Sequence, residues 1–445
     1  MLDTPGSRVW PRVYGRRVRI RRGLTPAAVG RAIAGAAVAA TLAVDGLASG
    51  GYFPHTWRLT ALALGALAAA AVLARRRIVV SRREWLFLAA FAALTVWTAL
   101  STLWSENAVT SGLEAERTGL YVVGAATILL AVDRRSLGWL LGGAVVGITA
   151  VAAYGLGQYV IGGHPLNPIE GNLLFEPVGY ANAFGILCAI GIALSVGLAL
   201  AVERRLARLV PLAGLPILAP ALYLTSSRGA WLALAAGLAA IFGLGQRFSA
   251  RATFVVVLAA VLAVAVAITL SGEHGIAARL VGKNRPYYWH VGWKEFRLNP
   301  VLGSGAGTFD SYWLRYRTVD SFARDAHSLY VETLAELGPL GLALVVAALA
   351  VPFAGVRRRL DPLSAAAAGG YVAFVVHLGV DWDWELPAVT LAGVTCGAAL
   401  LVGIRNEAGR PLRRRTRAAL LLAALAAAGV SLARLRGVPS LPFGG

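Results

Sequence analysis

Long apolar stretches recur along the chain, separated by short polar connections. They fall at 27–47, 57–74, 85–103, 118–132, 137–160, 180–202, 209–225, 229–246, 252–270, 338–356, 363–380, 387–404 and 416–432. Most approach or exceed the roughly 18 residues that a helix needs to cross the hydrocarbon core of a bilayer. Only helices or closed barrels satisfy their backbone polar groups in lipid, and these stretches are far too long for barrel strands. The pattern therefore predicts an all-α polytopic membrane protein with about 12–13 transmembrane helices. A basic arm, 1–26, precedes about nine spans in 27–270. A long loop, 271–337, comes next, then about four spans in 338–432 and a tail, 433–445.

The polar connections add orientation. Arg75, Arg76, Arg77, Arg82 and Arg83 lie in one, Arg134 and Arg135 in another, then Arg204, Arg205 and Arg208, then Arg247 and Arg251, then Arg357, Arg358 and Arg359, then the run from Arg405 to Arg417. These are alternate connections, and the N-terminal arm with its own arginines falls on the same side. By the positive-inside rule that side is the cytoplasm. The loop 271–337 is then extracytoplasmic, where aromatic-rich stretches such as "PYYWHVGWKEF" suit short helices at the interface.

Composition agrees. The chain is 58% hydrophobic and 14% charged, against about 25% charged in an average soluble domain. The formal charge of +20 is read as loop arginine that sets topology, not as a nucleic-acid surface. Cys188 and Cys396 lie inside apolar runs and offer neither metal spacing nor a disulfide framework. No cleavable signal peptide is expected, and the first span is read as retained.

The polar residues on the extracytoplasmic side cluster in four places. In "TSSRGAWLALAAGL", 225–238, Arg228 stands where a new helix begins, with Ser226 or Ser227 as its cap; this suits an anion. In "VGKNRPYYWHVGWKEFRLNPVLGSGAGTF", 281–309, Arg285 precedes a proline at a helix start. Lys283, Lys294 and Arg297 lie nearby. Trp289, Trp293 and Phe296 fall at helical spacing and read as packing, and His290 reads as a surface or packed histidine. "GSGAGTF" lacks the preceding strand and following lysine of a nucleotide-binding loop. It is read as a turn. In "RDAHSLYVETLAELGPLGLAL", 324–344, a short helix is expected over 327–337, ending at Gly338-Pro339. His327 at its start suits proton abstraction near neutral pH, with Asp325 to orient it and Arg324 as a further phosphate contact. Glu332 and Glu336 have no assigned role beyond packing or ion pairing. In "VDWDWELP", 380–387, Asp381, Asp383 and Glu385 crowd a span end, where pairing with Arg228 or Arg285 is the least demanding reading. A metal site is not expected, and no cofactor.

Several arginines with a histidine and carboxylates suit a phosphorylated substrate on a side that has no ATP. The natural one is a lipid-linked diphosphate. The segments "SSRGAWLAL", "NRPYYWHVGWKEFRLNPVLGSGAGTF" and "HSLYVETLAELGPLGL", in this order on a helical frame, resemble the O-antigen ligase and O-antigen polymerase superfamily. "GNLLFEPVGYANAFG", 171–185, is also similar to a Gly/Asn-rich segment of that superfamily. The resemblance covers the C-terminal two-thirds most clearly; the first 120 residues match only in hydropathy. The family's histidine is often followed by Asn, where this chain has Ser328.

The resemblance implies a C-type glycosyltransferase architecture in the bacterial cytoplasmic membrane. It implies inverting transfer of a glycan, without metal, from an undecaprenyl-diphosphate donor to an acceptor hydroxyl on a glycan, lipid or protein. Arg228 and Arg285 would hold the diphosphate, with Arg324 as an added contact. His327 would be the base, supported by Asp325 and Asp381. The same residues suit a polysaccharide polymerase. A lipid-linked glycan transporter is the alternative of another class; it would need ionisable residues near midspan, which are scarce: Asp45 lies near a span end, and His377 is the main interior candidate, read as a buried, hydrogen-bonded residue. A non-catalytic envelope scaffold would need none of the arginine and histidine set.

Overall fold

The computed structural model describes residues 26–162, 170–246, 284–356, 359–406 and 408–436. The expected span 252–270, Lys283, almost all of the N-terminal arm and most of the C-terminal tail lie outside the described residues.

Among the described residues the protein is helical, with α1 (Pro26–Leu47), α2 (Pro54–Ala74), α3 (Arg82–Ser101), α4 (Ala108–Ala131), α5 (Leu137–Ile161), α6 (Ala181–Ala201), α7 (Leu209–Leu212), α8 (Leu215–Leu224) and α9 (Arg228–Leu244). These are followed by α10 (Arg285–Leu298), α11 (Phe309–Tyr316), α12 (Leu329–Ala350), α13 (Pro362–His377), α14 (Pro387–Ile404) and α15 (Arg414–Arg436). Nine helical stretches among the described residues are long and apolar enough to cross a membrane, and α9 and α13 are shorter apolar helices. The chain is a multi-pass membrane protein.

Local chemistry sets the helix starts. Ser81 and Glu84 form a reciprocal capping box on α3, and the Asn107, Ser227 and Asp361 side chains cap α4, α9 and α13. Each cap satisfies an amide that the helix itself leaves open. One expectation changes here. Residues 104–117, read as an outer loop, are mostly helix, because the Asn107 cap starts α4 at Ala108.

The centre of the bundle is α6 and α14, whose residues are buried on almost every side. Both are rich in Ala and Gly, which lets neighbours approach closely. A methyl group at Gly197 would lie 2.4 Å from the Ala366 methyl, and one at Gly370 would lie 2.7 Å from the Cys396 sulfur. Cys188 and Cys396 are free and buried, small apolar fillers as expected. On the arginine-rich side, buried Arg405 ties three connections together. It donates to the Val79 and Val132 carbonyls, each at 2.9 Å, and pairs with Glu84 at 3.1 Å.

The opposite side carries a small lobe of α10, α11 and the segment 317–328. It has its own core, with Tyr288, Val291, Phe309, Trp313 and Ala326. The lobe packs on α12. The helix expected over 327–337 instead begins at Leu329 and continues as α12 through a kink at Gly338, where φ is 68° and ψ −172°. A first helical segment thus ends at Gly338-Pro339, as expected, and the chain continues from Pro339 as the longer apolar part of α12.

Candidate functional site

Five separate segments meet where the lobe joins the bundle. The Leu174 amide donates to the Leu224 carbonyl, bringing 171–180 against the end of α8. The Leu329 amide donates to the Leu378 carbonyl at 2.9 Å, stitching the start of α12 to the turn after α13. A methyl group on Gly229 would touch His377 and Val380, so the start of α9 abuts the same turn. Arg285, at the start of α10, reaches into it as well.

His327 precedes α12 with φ at 51°, a left-handed conformation uncommon for a residue with a side chain. It is pinned on both sides. The Ala326 amide donates to Glu332 at 2.8 Å, and the Leu329 amide is the one held by Leu378. The imidazole stacks on Tyr288, with ring centroids 4.7 Å apart. Its Nδ1 lies 3.0 Å from the main-chain oxygen of Asp325. A carbonyl only accepts, so Nδ1 carries the hydrogen and Nε2 keeps its lone pair. Burial pushes the imidazole below its usual range; the Asp381 charge opposes this and the Arg285 charge adds to it. The ring is therefore neutral near pH 7, the state a base requires.

Arg285 pairs with Asp381 at 2.6 Å, and Asp381 is fully buried. Burial alone would raise the Asp381 carboxyl. Arg285, with His327, His377 and the Tyr180 hydroxyl, holds it below the usual carboxylate range instead. The Tyr180 hydroxyl donates to Asp381 at 2.8 Å, and its ring stacks on Trp382 at 4.8 Å. Trp382 meets Tyr52 edge-on at 6.0 Å, and the exposed Arg324 guanidinium lies 5.6 Å from the Tyr52 ring. A continuous wall thus runs from Arg285 through Asp381, Tyr180, Trp382 and Tyr52 to Arg324. Sequence reasoning named the charged members and missed the aromatic ones. Tyr180 stood inside the Gly/Asn-rich segment, which was the available signal.

The carboxyl of Asp325 does not orient His327; its main-chain oxygen does. Asp325 instead faces Glu385, and burial together with the Glu385 charge pushes its carboxyl well above the usual range. Asp325, Glu332 and Glu385 bring one oxygen each within 4.8 Å of one another. They are the described carboxylates closest to a hard-cation geometry. Arg117 already supplies positive charge there, 3.1 Å from Glu385, and it also pairs with Glu114. Arg117 and Glu114 were missed because 104–117 was read as loop. Their spacing of three, on one helical face, was the signal.

The other members have local partners. Arg228 opens α9, half-buried, behind Ser226 with φ at 51° and the Ser227 cap. His377 pairs with Asp383 at 2.8 Å, both buried, and the Thr60 hydroxyl donates to buried Asp45 at 2.5 Å. His377 and Asp45 both stand at the ends of their helices, not midspan, and are committed to neighbours. His290, Trp293 and Lys294 are exposed on α10. The "GSGAGTF" turn does hold a carboxyl group, but the chain's own. Glu336 accepts from the amides of Gly307, Thr308 and Phe309 at 2.8, 2.9 and 2.9 Å. Gly303 permits the close approach, with φ at 74° and a hypothetical methyl only 2.2 Å from the Glu336 carbonyl carbon. Behind the turn, the Ser304 hydroxyl donates to buried Glu295 at 2.6 Å.

No curated protein matches the chain. Residues 213–346 match the sequence model of the family described as O-Antigen ligase. The match runs from the start of α8 through Arg228, Arg285, Arg324 and His327 into the membrane part of α12, and leaves out Asp381 and the N-terminal half. The match lies within the part of the chain that resembles the O-antigen ligase and polymerase superfamily.

Proposed function

We propose that the protein transfers a glycan from an undecaprenyl-diphosphate donor to an acceptor hydroxyl, on the extracytoplasmic face of the bacterial cytoplasmic membrane. The observation that carries this reading is His327. It is held by Nδ1–H on a carbonyl, with a neutral ring and a lone pair on Nε2, beside the Arg285–Asp381 pair.

The acceptor O–H gives its proton to Nε2 as the oxygen attacks the anomeric carbon. The bond from that carbon to the diphosphate oxygen breaks, and undecaprenyl diphosphate leaves with the electron pair. Negative charge grows on the leaving oxygen, where Arg228, Arg285 and Arg324 supply fixed positive charge. One displacement inverts the anomeric centre. The arginines serve the leaving group in the role a metal would otherwise fill. The same chemistry joins repeat units if the acceptor is itself a lipid-linked glycan, so ligase and polymerase differ in the acceptor and not in these residues.

The test uses purified protein with a synthetic undecaprenyl-diphosphate oligosaccharide and separate glycan, lipid and protein acceptors, with products read by mass. Transfer by the wild type, and its loss in His327→Ala with folding intact, is the expected result. Full transfer by His327→Ala removes the proposed base. Movement of the donor between leaflets without any transfer gives the transporter reading instead.

A further inference from the structure

A cavity of about 540 Å³ lies between α1, α2, α4, α5 and α14, within the ~300–1,000 Å³ range of small-ligand sites. Its origin is a packing mismatch. α1 is drawn onto α5 backbone to backbone: a methyl on Gly143 would lie 2.1 Å from the Gly35 carbonyl oxygen, and one on Gly147 would lie 2.6 Å from that of Ala39. α2 packs instead on α4 and α15. The two neighbours therefore lean apart and leave a slot.

The slot is apolar inside although threonines line it. The Thr41 hydroxyl donates to the Ala37 carbonyl at 2.9 Å, and that of Thr127 to the Leu64 carbonyl at 3.0 Å. Their hydrogen-bonding capacity is spent on the helices, so hydrocarbon suits the interior. One end is different. Arg31, Arg75, Arg135 and Asp133 line it. Arg75 pairs with Asp133 at 3.5 Å. Arg31 and Arg135 make no hydrogen bond or ion pair with any described residue. Three arginines against one aspartate leave the mouth positive.

Length sets the class of ligand. From Arg31 to Leu42 along α1 is roughly 16 Å at 1.5 Å per residue, about half of a ~30 Å hydrocarbon core. The slot spans one leaflet, the one bordered by the arginine-rich connections.

We propose that this slot holds one acyl chain of an anionic phospholipid from that leaflet, with its phosphate at Arg31 and Arg135. The lipid braces α1 against α2. A polyprenyl chain is too long for a half-bilayer slot, and a zwitterionic lipid brings a positive group to a mouth that is already positive. The inference is independent of the glycosyl-transfer reading.

Full-length protein in mild detergent is mixed with phosphatidylglycerol and phosphatidylcholine of identical chains, and retained lipid is read by native mass spectrometry. Phosphatidylglycerol is expected to be retained preferentially. The double substitution Arg31→Gln with Arg135→Gln should cut that preference roughly 30-fold, taking about 1 kcal/mol per basic residue near a membrane surface. Ala37→Phe, which fills the slot, should abolish retention of both lipids. Both variants are checked for an unchanged melting profile, and if Ala37→Phe misfolds the arginine pair decides alone. Equal retention of the two lipids by wild type, undiminished preference in the arginine double variant, or a polyprenyl diphosphate as the bound molecule each overturns the proposal.

Discussion

The imidazole of His327 is oriented by the main chain of Asp325, two residues away, and not by a carboxylate. A backbone carbonyl cannot take up the proton or change charge, so under the proposed mechanism the ring acts as a simple base through Nε2. His327→Ala should lower the rate of transfer by about 10²–10⁴-fold with little change in KM for the donor. Asp325→Asn keeps the carbonyl and should retain most activity. Steady-state kinetics on the two purified variants distinguishes this from a histidine–carboxylate pair, in which both would fail together.

The same histidine sets a pH dependence. Its folded pKa lies below the ordinary 6.5, so the rate should fall only as pH drops through that lowered value. Stability follows the same direction. Between the lowered pKa and about 6.5 the unfolded chain binds a proton that the folded chain does not. This contribution to stability is therefore present above 6.5 and declines as pH falls. A rate profile whose acidic limb is centred above 6.5 contradicts the buried, neutral ring.

Arg285 and Asp381 form the shortest ion pair at the site with a fully buried carboxylate. Arg285→Ala should cost about 10²-fold or more in kcat through lost charge at the leaving group. Arg285→Lys should not restore it, because a lysine cannot span two acceptors in the plane that guanidinium offers. Asp381→Asn releases the guanidinium from its anchor and should raise KM for the donor more than it lowers kcat. Measurement of both constants for each variant separates anchoring from chemistry.

Glu295 sits behind the glycine turn with a pKa pushed up by burial to about 7, from an ordinary 4.5. The folded form holds a proton that the unfolded form releases. Stability of the lobe should be full below about 4.5 and should be lost as pH rises through 7. Glu295→Gln should flatten the dependence of thermal unfolding on pH in that window. An unchanged slope between wild type and variant counts against a protonated Glu295.

Glu336→Ala strips three amides of their acceptor in a buried turn. Each such bond contributes about 0.5–1.5 kcal/mol, and the loss should appear as lobe unfolding ahead of the bundle. Limited proteolysis across 299–309 reads this directly. Glu336→Gln retains one carbonyl acceptor and should be damaged less.

The spans and their alternating arginine connections were legible because length and charge survive any detail of packing. His327, Arg285 and Asp381 stood out for a related reason, being ionisable groups beside apolar runs. Arg117 was hidden by a boundary: a helix that starts with Asn107 carries its charges into the buried site, whereas a loop would leave them in water. The left-handed backbone at His327 had no signal, since Ser328 and Leu329 do not require it. Nor did the occupant of "GSGAGTF", since Glu336 is separated from the turn by about thirty residues of chain that the lobe must first fold back.

That last arrangement is also a matter of timing. The glycine turn precedes Glu336 in the chain, and its amides at Gly307, Thr308 and Phe309 lack this acceptor until α12 is in place. Two earlier hydroxyls already wait for it: Ser101 accepts from the Ala306 amide, and Ser111 donates to the Ala306 carbonyl. The lobe therefore closes only when α12 is in place, and the same helix start sets the backbone of His327, so the turn and the histidine are ordered by one element.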